Sequence, residues 1–332
     1  MDKFISRYLK LFFLITVTLV IITACHNKLL KNTLYHETHL LTSNCRVIQH
    51  EQGETCVPLQ PKRIMVTDEI ALDAVLALGL KPVAAGENTF ASKGRHYLGK
   101  TEDIISIGKD IQLNIEKMIK LHPDLIVGFY FTPHEYKLFS QIAPTVKLES
   151  KYLKDGWKES FQKVGEILGK KEQTQNLLLQ YQQRVKQLRK SIEQKVGKIE
   201  VSVSRFGAST ANPSIETILS FTGNILQEVG LSVPIHQLQA TTTQNTAFLS
   251  FSLERLDLLD ADVLFIMLDQ KAENSFKRYQ QSQLWQRLKA FKTNRVYIVD
   301  SGHWYFGNIL AANAVLEDIS KYLLGTGLNN QD

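Results

Sequence analysis

The chain has 332 residues, of which 44% are hydrophobic and 22% charged, and its formal net charge is +6. This is the composition of a folded protein with room for two ordinary domains, which excludes a disordered or low-complexity chain. The basic residues are spread out with no five-residue basic block, so no nucleic-acid partner is expected.

At the N-terminus, Lys3, Arg7 and Lys10 precede the apolar run LFFLITVTLVIIT at 11–23, and ITAC closes it. A basic segment followed by a short apolar one describes an export signal, too short for a comfortable membrane span. ITAC is similar to the bacterial lipobox, whose Cys is acylated before cleavage. Residues 1–24 therefore read as a lipoprotein signal peptide and Cys25 as the lipid-bearing first residue of the mature chain. An ordinary signal peptide with a chance Cys is the competing reading. Residues 25–60 read as a polar tether ending in a hairpin, because CRVIQHEQGETC sets Cys45 and Cys56 on either side of an EQGE turn. Two cysteines so close in an exported chain are expected to form a disulfide. A zinc pair would need further ligands at short spacing, and only His50 lies between them.

Residues 61–155 alternate strands with single helices. RIMVT, KPVAAG, DLIVGFY and TVKLE read as strands, and DIISIG as a strand or turn. IALDAVLALGL, ending at Gly79, IEKMIKLH, broken by Pro123, and PHEYKLFSQIA read as helices. From 156 to 196 the period changes. Apolar residues at 157, 161, 164, 167 and 168, then at 178, 181, 185, 188 and 192, mark one face of a long linking helix with a break at Gly169. A coiled-coil arm fits less well, since only about three heptads are present. Residues 197–326 return to the first rhythm. KIEVSVSRF, DVLFIM and RVYIVD read as strands, and NILQEVGL, SLERLDLL, SQLWQRLKAF and NILAANAVLEDISKYLL as helices. The predicted fold class is α/β: two Rossmann-like lobes with mainly parallel sheets, joined by one long helix.

IEKMIKLHPDLIVG at 115–128 and LERLDLLDADVLFI at 253–266 read almost alike. Each opens on an aliphatic–Glu pair and reaches an Asp eight positions after the Glu before an apolar strand. The twin stretches are expected at equivalent places in the two lobes, although helix–strand units of this kind also arise by chance.

These stretches carry a resemblance from about 44 to 325. The lipobox, HPDLI, IAPTV, DGWKESFQKVGEILG, ILQEVGL, LERLDLLDADVLFI and LWQRLKAFKTNRVYIVD together resemble the substrate-binding proteins of iron–siderophore ABC importers, relatives of cobalamin- and haem-binding proteins. The Cys-containing lead-in is most similar to the cyanobacterial branch. The resemblance implies a monomer that needs no cofactor, holds a ferric siderophore between its lobes, and closes little because its linking helix is continuous. It further implies an ABC permease with its ATPase subunits as partner, docked through one glutamate per lobe. The matching positions are Glu116 and Glu254, where a carboxylate suits the paired donors of an arginine. First-turn helix positions, where negative charge complements the dipole, are the plainer explanation and do not conflict.

Ligands of open α/β sheets sit beyond the carboxyl ends of strands, here residues 67–69, 86–90, 128–131, 204–209 and 301–306. Arg205 is the first candidate for an anionic group, with a salt bridge at the sheet end as its alternative. Trp304, Tyr305, Tyr130 and Phe129 are candidates for an aromatic wall, and Arg95 for a loop contact. After VSRF the chain departs from the family pattern, reading GASTANPSIETIL where a basic–aliphatic–Tyr group is usual. Glu216 there is unsuited to an anionic ligand unless it faces solvent.

A direct metal carrier would need several His and carboxylates at strand ends, and only His303 is well placed; His122 and His134 sit at helix ends. Haem would favour an axial Tyr130, Tyr305 or His303. No G-x-S-x-G, H-E-x-x-H, Walker or G-x-G-x-x-G pattern occurs, so an enzyme is not expected.

Overall fold

The computed structural model describes residues 45–88, 94–149, 156–207, 212–242 and 245–325. The expected signal peptide and Cys25 lie outside them. Strands β1 (Cys45–His50) and β2 (Gly53–Pro58) make a two-stranded sheet, and Cys45 and Cys56 are both disulfide-bonded. Thr55 donates to the Thr145 carbonyl at 2.8 Å and Lys147 reaches Glu51 at 3.2 Å, so the turn and second strand rest on the edge of the first lobe.

That lobe contains β3 (Ile64–Val66), β4 (Ala84–Glu87), β5 (Ile105–Lys109), β6 (Gln112–Leu113), β7 (Leu125–Gly128) and β8 (Thr145–Lys147). The order across its sheet is β6-β5-β4-β3-β7-β8, and all pairs are parallel except β5 with β6. Helix α1 (Glu69–Ala77) starts at Asp68, whose extended backbone lets its carboxylate accept from the Ala71 amide at 3.0 Å. It stops at Gly79, which supplies the left-handed φ of +70°. Helix α2 (Ile115–Lys120) is capped by Asn114, and α3 (Pro133–Phe139) opens on a capping box between Thr132 and Glu135.

The linking segment is two helices, α4 (Trp157–Ile167) and α5 (Lys171–Lys195), divided by Gly169 at φ +68° as the sequence predicts. A Cβ at Gly165 would lie 2.0 Å from the Thr174 hydroxyl, so the two helices need glycine where they cross. On α5 the buried stripe is Thr174, Leu178, Tyr181, Val185, Leu188 and Ile192. Its spacing of three and four places one apolar face inward.

The second lobe holds β9 (Val201–Phe206), β10 (Ser214–Glu216), β11 (Phe248–Ser250), β12 (Val263–Leu268) and β13 (Val296–Asp300), ordered β11-β10-β9-β12-β13. The β9–β12 and β12–β13 pairs are parallel, while β10 runs antiparallel to both its neighbours. The connection from β9 to β10 is too short for a crossover helix, so the chain turns straight back. Around the sheet lie α6 (Phe221–Glu228), α7 (Ile235–Thr242), α8 (Glu273–Gln280), α9 (Lys289–Lys292), α10 (Ser301–Trp304) and the C-terminal α11 (Ile309–Leu324). SLERLDLL forms a 3-10 helix (Leu253–Leu259), and SQLWQRLKAF divides into a 3-10 turn (Trp285–Arg287) followed by α9.

The twin stretches do the same structural work. Asp124, ahead of β7, accepts from the Lys62 and Arg63 amides at 2.7 and 2.9 Å, just before β3. Asp262, ahead of β12, accepts from the Glu200 amide at 2.8 Å, just before β9. Each Asp thus straps its own strand to the parallel neighbour and fixes the register.

The lobes share one continuous core with the linking helices, running through Val66, Val75, Phe161, Leu188, Val203 and Val315. At its centre is a polar clasp. Asp73 of α1 is fully buried and accepts from the amides of Asn308, Leu310 and Ala311 at 3.2, 2.9 and 2.8 Å. An acid of the first lobe therefore satisfies the unpaired donors and positive dipole end of the last helix.

Candidate ligand cleft

Thr67 and Asp68 follow β3 at its carboxyl end, both buried. Cβ atoms at Gly86 and Gly128 would fall 2.0 Å from the Thr67 carbonyl and 1.6 Å from its hydroxyl, so the flanking strand ends approach this residue as closely as only glycine permits. Asp68 is fully buried and accepts from the Phe129 amide at 2.7 Å, which fixes the loop after β7. Burial pushes its carboxyl above the usual range, against the pull of those hydrogen bonds.

That loop projects Tyr130, which is 39% exposed, towards the second lobe, where its ring centroid lies 6.5 Å from that of Phe306. The Phe306 and Tyr305 rings meet at a tilt with centroids 4.0 Å apart, and Phe248 lies 5.4 Å from Tyr305 and 5.7 Å from Phe306. The aromatic wall is therefore Tyr130, Tyr305, Phe306 and Phe248. Two sequence candidates do not join it. Phe129 is 3% exposed and belongs to the core, because its amide is held by Asp68. Trp304 is fully buried, 4.7 Å from Phe265, and donates its indole N–H to Asp318 at 2.9 Å. The helical turn after β13 rotates Trp304 inward and leaves Tyr305 and Phe306 outward. Arg95 begins a 3-10 turn (Arg95–Tyr97), and its side chain lies outside the described residues.

Arg205, at the end of β9, lies with its guanidinium carbon 3.4 Å from the Tyr305 ring centroid. It also donates to Asp269 through two bonds, at 3.1 and 2.5 Å. Asp269 follows β12, the parallel neighbour of β9, so the sheet register brings the pair together. Behind them Glu216 of β10 is 2% exposed. Burial pushes its carboxyl up to about 8, which the Arg205 charge and the Ser220 hydroxyl only partly oppose. Glu216 does not face solvent, and the acid in the departing stretch costs the site less charge than the sequence suggests.

A cavity of about 240 Å³ is lined by Glu69, Glu87, Tyr97, Ser106 and Lys109 of the first lobe and Gln270 of the second. Burial pushes Glu69 up to about 8 as well. Lys109 bridges to Glu87 at 3.1 Å. The loop carrying Asp269 and Gln270 follows the strand DVLFIM, and the strand-end rule that selected the other loops applies equally to it.

His303 is fully buried, 2.9 Å from Asp318 and 3.5 Å from Asp300. Burial opposes its charge, but the two carboxylates outweigh it and raise its pKa. It serves the fold and offers no ligand at the cleft. Among the described residues no cluster of three or more metal-ligating side chains occurs. Glu116 and Glu254 both project into solvent from the first turns of their helices; Glu116 pairs with Lys120 at 2.7 Å, and a hydrogen bond from Ser252 lowers the Glu254 carboxyl.

The "Probable siderophore-binding lipoprotein YfiY" of Bacillus subtilis (strain 168) is 29% identical over 333 residues, spanning 97% of this chain and 99% of its own. The Fe(3+)-citrate-binding protein YfmC of the same strain is 28% identical over 284 residues, 84% of this chain and 86% of its own. The crystal structure of Staphylococcus aureus SirA complexed with staphyloferrin B superposes with a TM-score of 0.73 at 26% identity, covering 84% of this chain and 98% of that one. Residues 64–302, from the first strand of one lobe to the turn after the last strand of the other, match the periplasmic binding protein family. Two α/β lobes, a helical spine and an aromatic cleft between them accord with that match, and the chain belongs to the periplasmic binding protein family.

Proposed function

We propose that this chain captures a ferric siderophore outside the cytoplasmic membrane and hands it to an ABC permease for iron uptake. The observation that carries the reading is the cleft wall, where Tyr130 of one lobe meets Phe306 of the other and Arg205 lies on Tyr305. Aromatic faces suit the organic arms of a bulky chelate, and a guanidinium suits its oxygens. The relatives named for siderophore and ferric-citrate binding support the same class of ligand. Haem is the weaker alternative, since His303 is committed to Asp318 and burial pushes the Tyr130 phenol up, away from the tyrosinate form.

In this reading Cys25 carries the lipid that holds the chain at the membrane, Cys45 pairs with Cys56, and the chain works as a monomer. Glu116 and Glu254 meet arginines of the permease, one per lobe. The test combines binding with transport. Intrinsic fluorescence should be quenched saturably by ferric siderophores and not by free divalent ions. Glu116→Ala with Glu254→Ala should abolish iron uptake by cells while changing the binding constant by less than about twofold. Loss of binding in that double variant, or quenching by no ferric chelate, defeats the proposal.

A further inference from the structure

The geometry points to Asp269 as the residue that sets charge selectivity: by holding Arg205 in a two-pronged ion pair at the cleft wall, it fits the site to ferric chelates with little or no net negative charge. This rests on the ferric-siderophore reading and specifies the substrate class within it.

Arg205 is the obvious anchor for an anionic ligand, yet its charge is already answered. The side chain of Asp269 is only 2% exposed and that of Arg205 12%, so solvent does little to screen the pair. The guanidinium uses its Nε and Nη2 edge on the carboxylate and its face on Tyr305. An approaching anion therefore meets a neutral pair, and gains the full cation only by displacing a carboxylate from an almost dry position. The first lobe's share is balanced in the same way. Lys109 is the base lining the cavity among the described residues, and it is bridged to Glu87. Glu69 lines that cavity too, and Glu216 lies behind the arginine. The described cleft thus offers two matched ion pairs and one further acid, Glu69. Burial pushes the Glu69 carboxyl up to about 8, and in its protonated form it can donate to a carbonyl or hydroxyl oxygen.

Ferric iron wrapped by hydroxamates is close to neutral and presents carbonyl-type oxygens; wrapped by catecholates it is a polyanion. A site with matched charges admits the first and gives the second no compensation for losing its hydration.

The experiment is a fluorescence titration of the full chain with a ferric trihydroxamate, a ferric tricatecholate and ferric citrate, at low and high salt, repeated for Asp269→Asn. The near-isosteric amide keeps the shape of the pair and releases the arginine charge. The native chain should bind the trihydroxamate about 100-fold more tightly than the tricatecholate. Asp269→Asn should narrow that gap to roughly tenfold or less by strengthening polyanion binding, most visibly at low salt. A native preference for the tricatecholate overturns the inference whether or not the variant folds. An unchanged ratio in a variant with a native-like thermal melt overturns it too. If no ferric chelate binds the native chain, it is the capture reading that fails, and the charge selectivity falls with it.

Discussion

The two lobes use the same sequence device to different structural ends. In the first, IEKMIKLHPDLIVG folds as an α-helix capped by Asn114 and followed by β7; in the second, LERLDLLDADVLFI folds as a 3-10 helix with non-helical torsions at Arg255, followed by β12. The helices differ, but the Asp at the end does not. It straps the incoming strand to the first strand of its lobe in both cases. The repeat therefore specifies strand register and the exposure of one glutamate per lobe. The type of helix in between is left to its surroundings: Asn114 accepts an amide at 2.9 Å in the first lobe, whereas Ser252 makes no such side-chain cap in the second.

The lobes are not equal partners in stability, and the largest expected effect probes that asymmetry. Asp73 of the first lobe holds the last helix through three amides, and Asp73→Ala leaves those donors buried without an acceptor. A loss of roughly 4 kcal/mol in denaturant unfolding is expected; a loss below about 1 kcal/mol would show that the lobes hold together without the clasp. A pH effect comes next and belongs to the second lobe. Glu216 binds its proton more tightly folded, at about 8, than unfolded, near 4.5. The stability that Glu216 contributes should therefore be fully present below about pH 4.5 and be lost as pH rises to about 8, by about 3 kcal/mol between pH 5 and 8. Glu216→Gln should remove about half of the combined decline, since Glu69 is also raised to about 8 and supplies a matching share, and an unchanged pH profile in the variant would mean the Glu216 carboxyl is not a source. The smallest effect compares the straps themselves. Asp124→Ala should cost about 2 kcal/mol and Asp262→Ala about 1 kcal/mol, because Asp124 holds two amides and Asp262 one. A reversed order, with Lys289 still 2.6 Å from the acid at 262 in the native chain, would show that the ion pair and not the amide dominates there.

Much of the fold was legible from periodicity. The stripe at 178, 181, 185, 188 and 192, the break at Gly169 and the stop at Gly79 all follow from local rules that the tertiary structure respects. The pieces that sequence reading missed are short or irregular. β6, β10 and β11 have two or three residues each, too few for alternation to register, and α7 and α8 are polar enough to read as loop. The site was legible in its loops more than in its side chains. The strand-end rule found the loops of Tyr130, Arg205 and Tyr305, but which residue of a loop faces the cleft depends on a turn's rotation. A single helical turn after β13 sent Trp304 into the core and Phe306 to the wall. Asp269 was invisible because its meaning depends on the neighbouring strand, and strand order is not written in any local window.

The bond between Asp73 and the 308–311 amides also governs the order in which the molecule can be completed. Acceptor and donors are separated by 235 residues or more along the chain. A polypeptide emerging from its N-terminal end presents the acid early and its partners almost last, after the whole second lobe. Until the final helix arrives the buried carboxylate has His96 of its own lobe 3.6 Å away but not the three amides that hold it in the finished fold. Completion of the first lobe is thereby made conditional on delivery of nearly the entire chain.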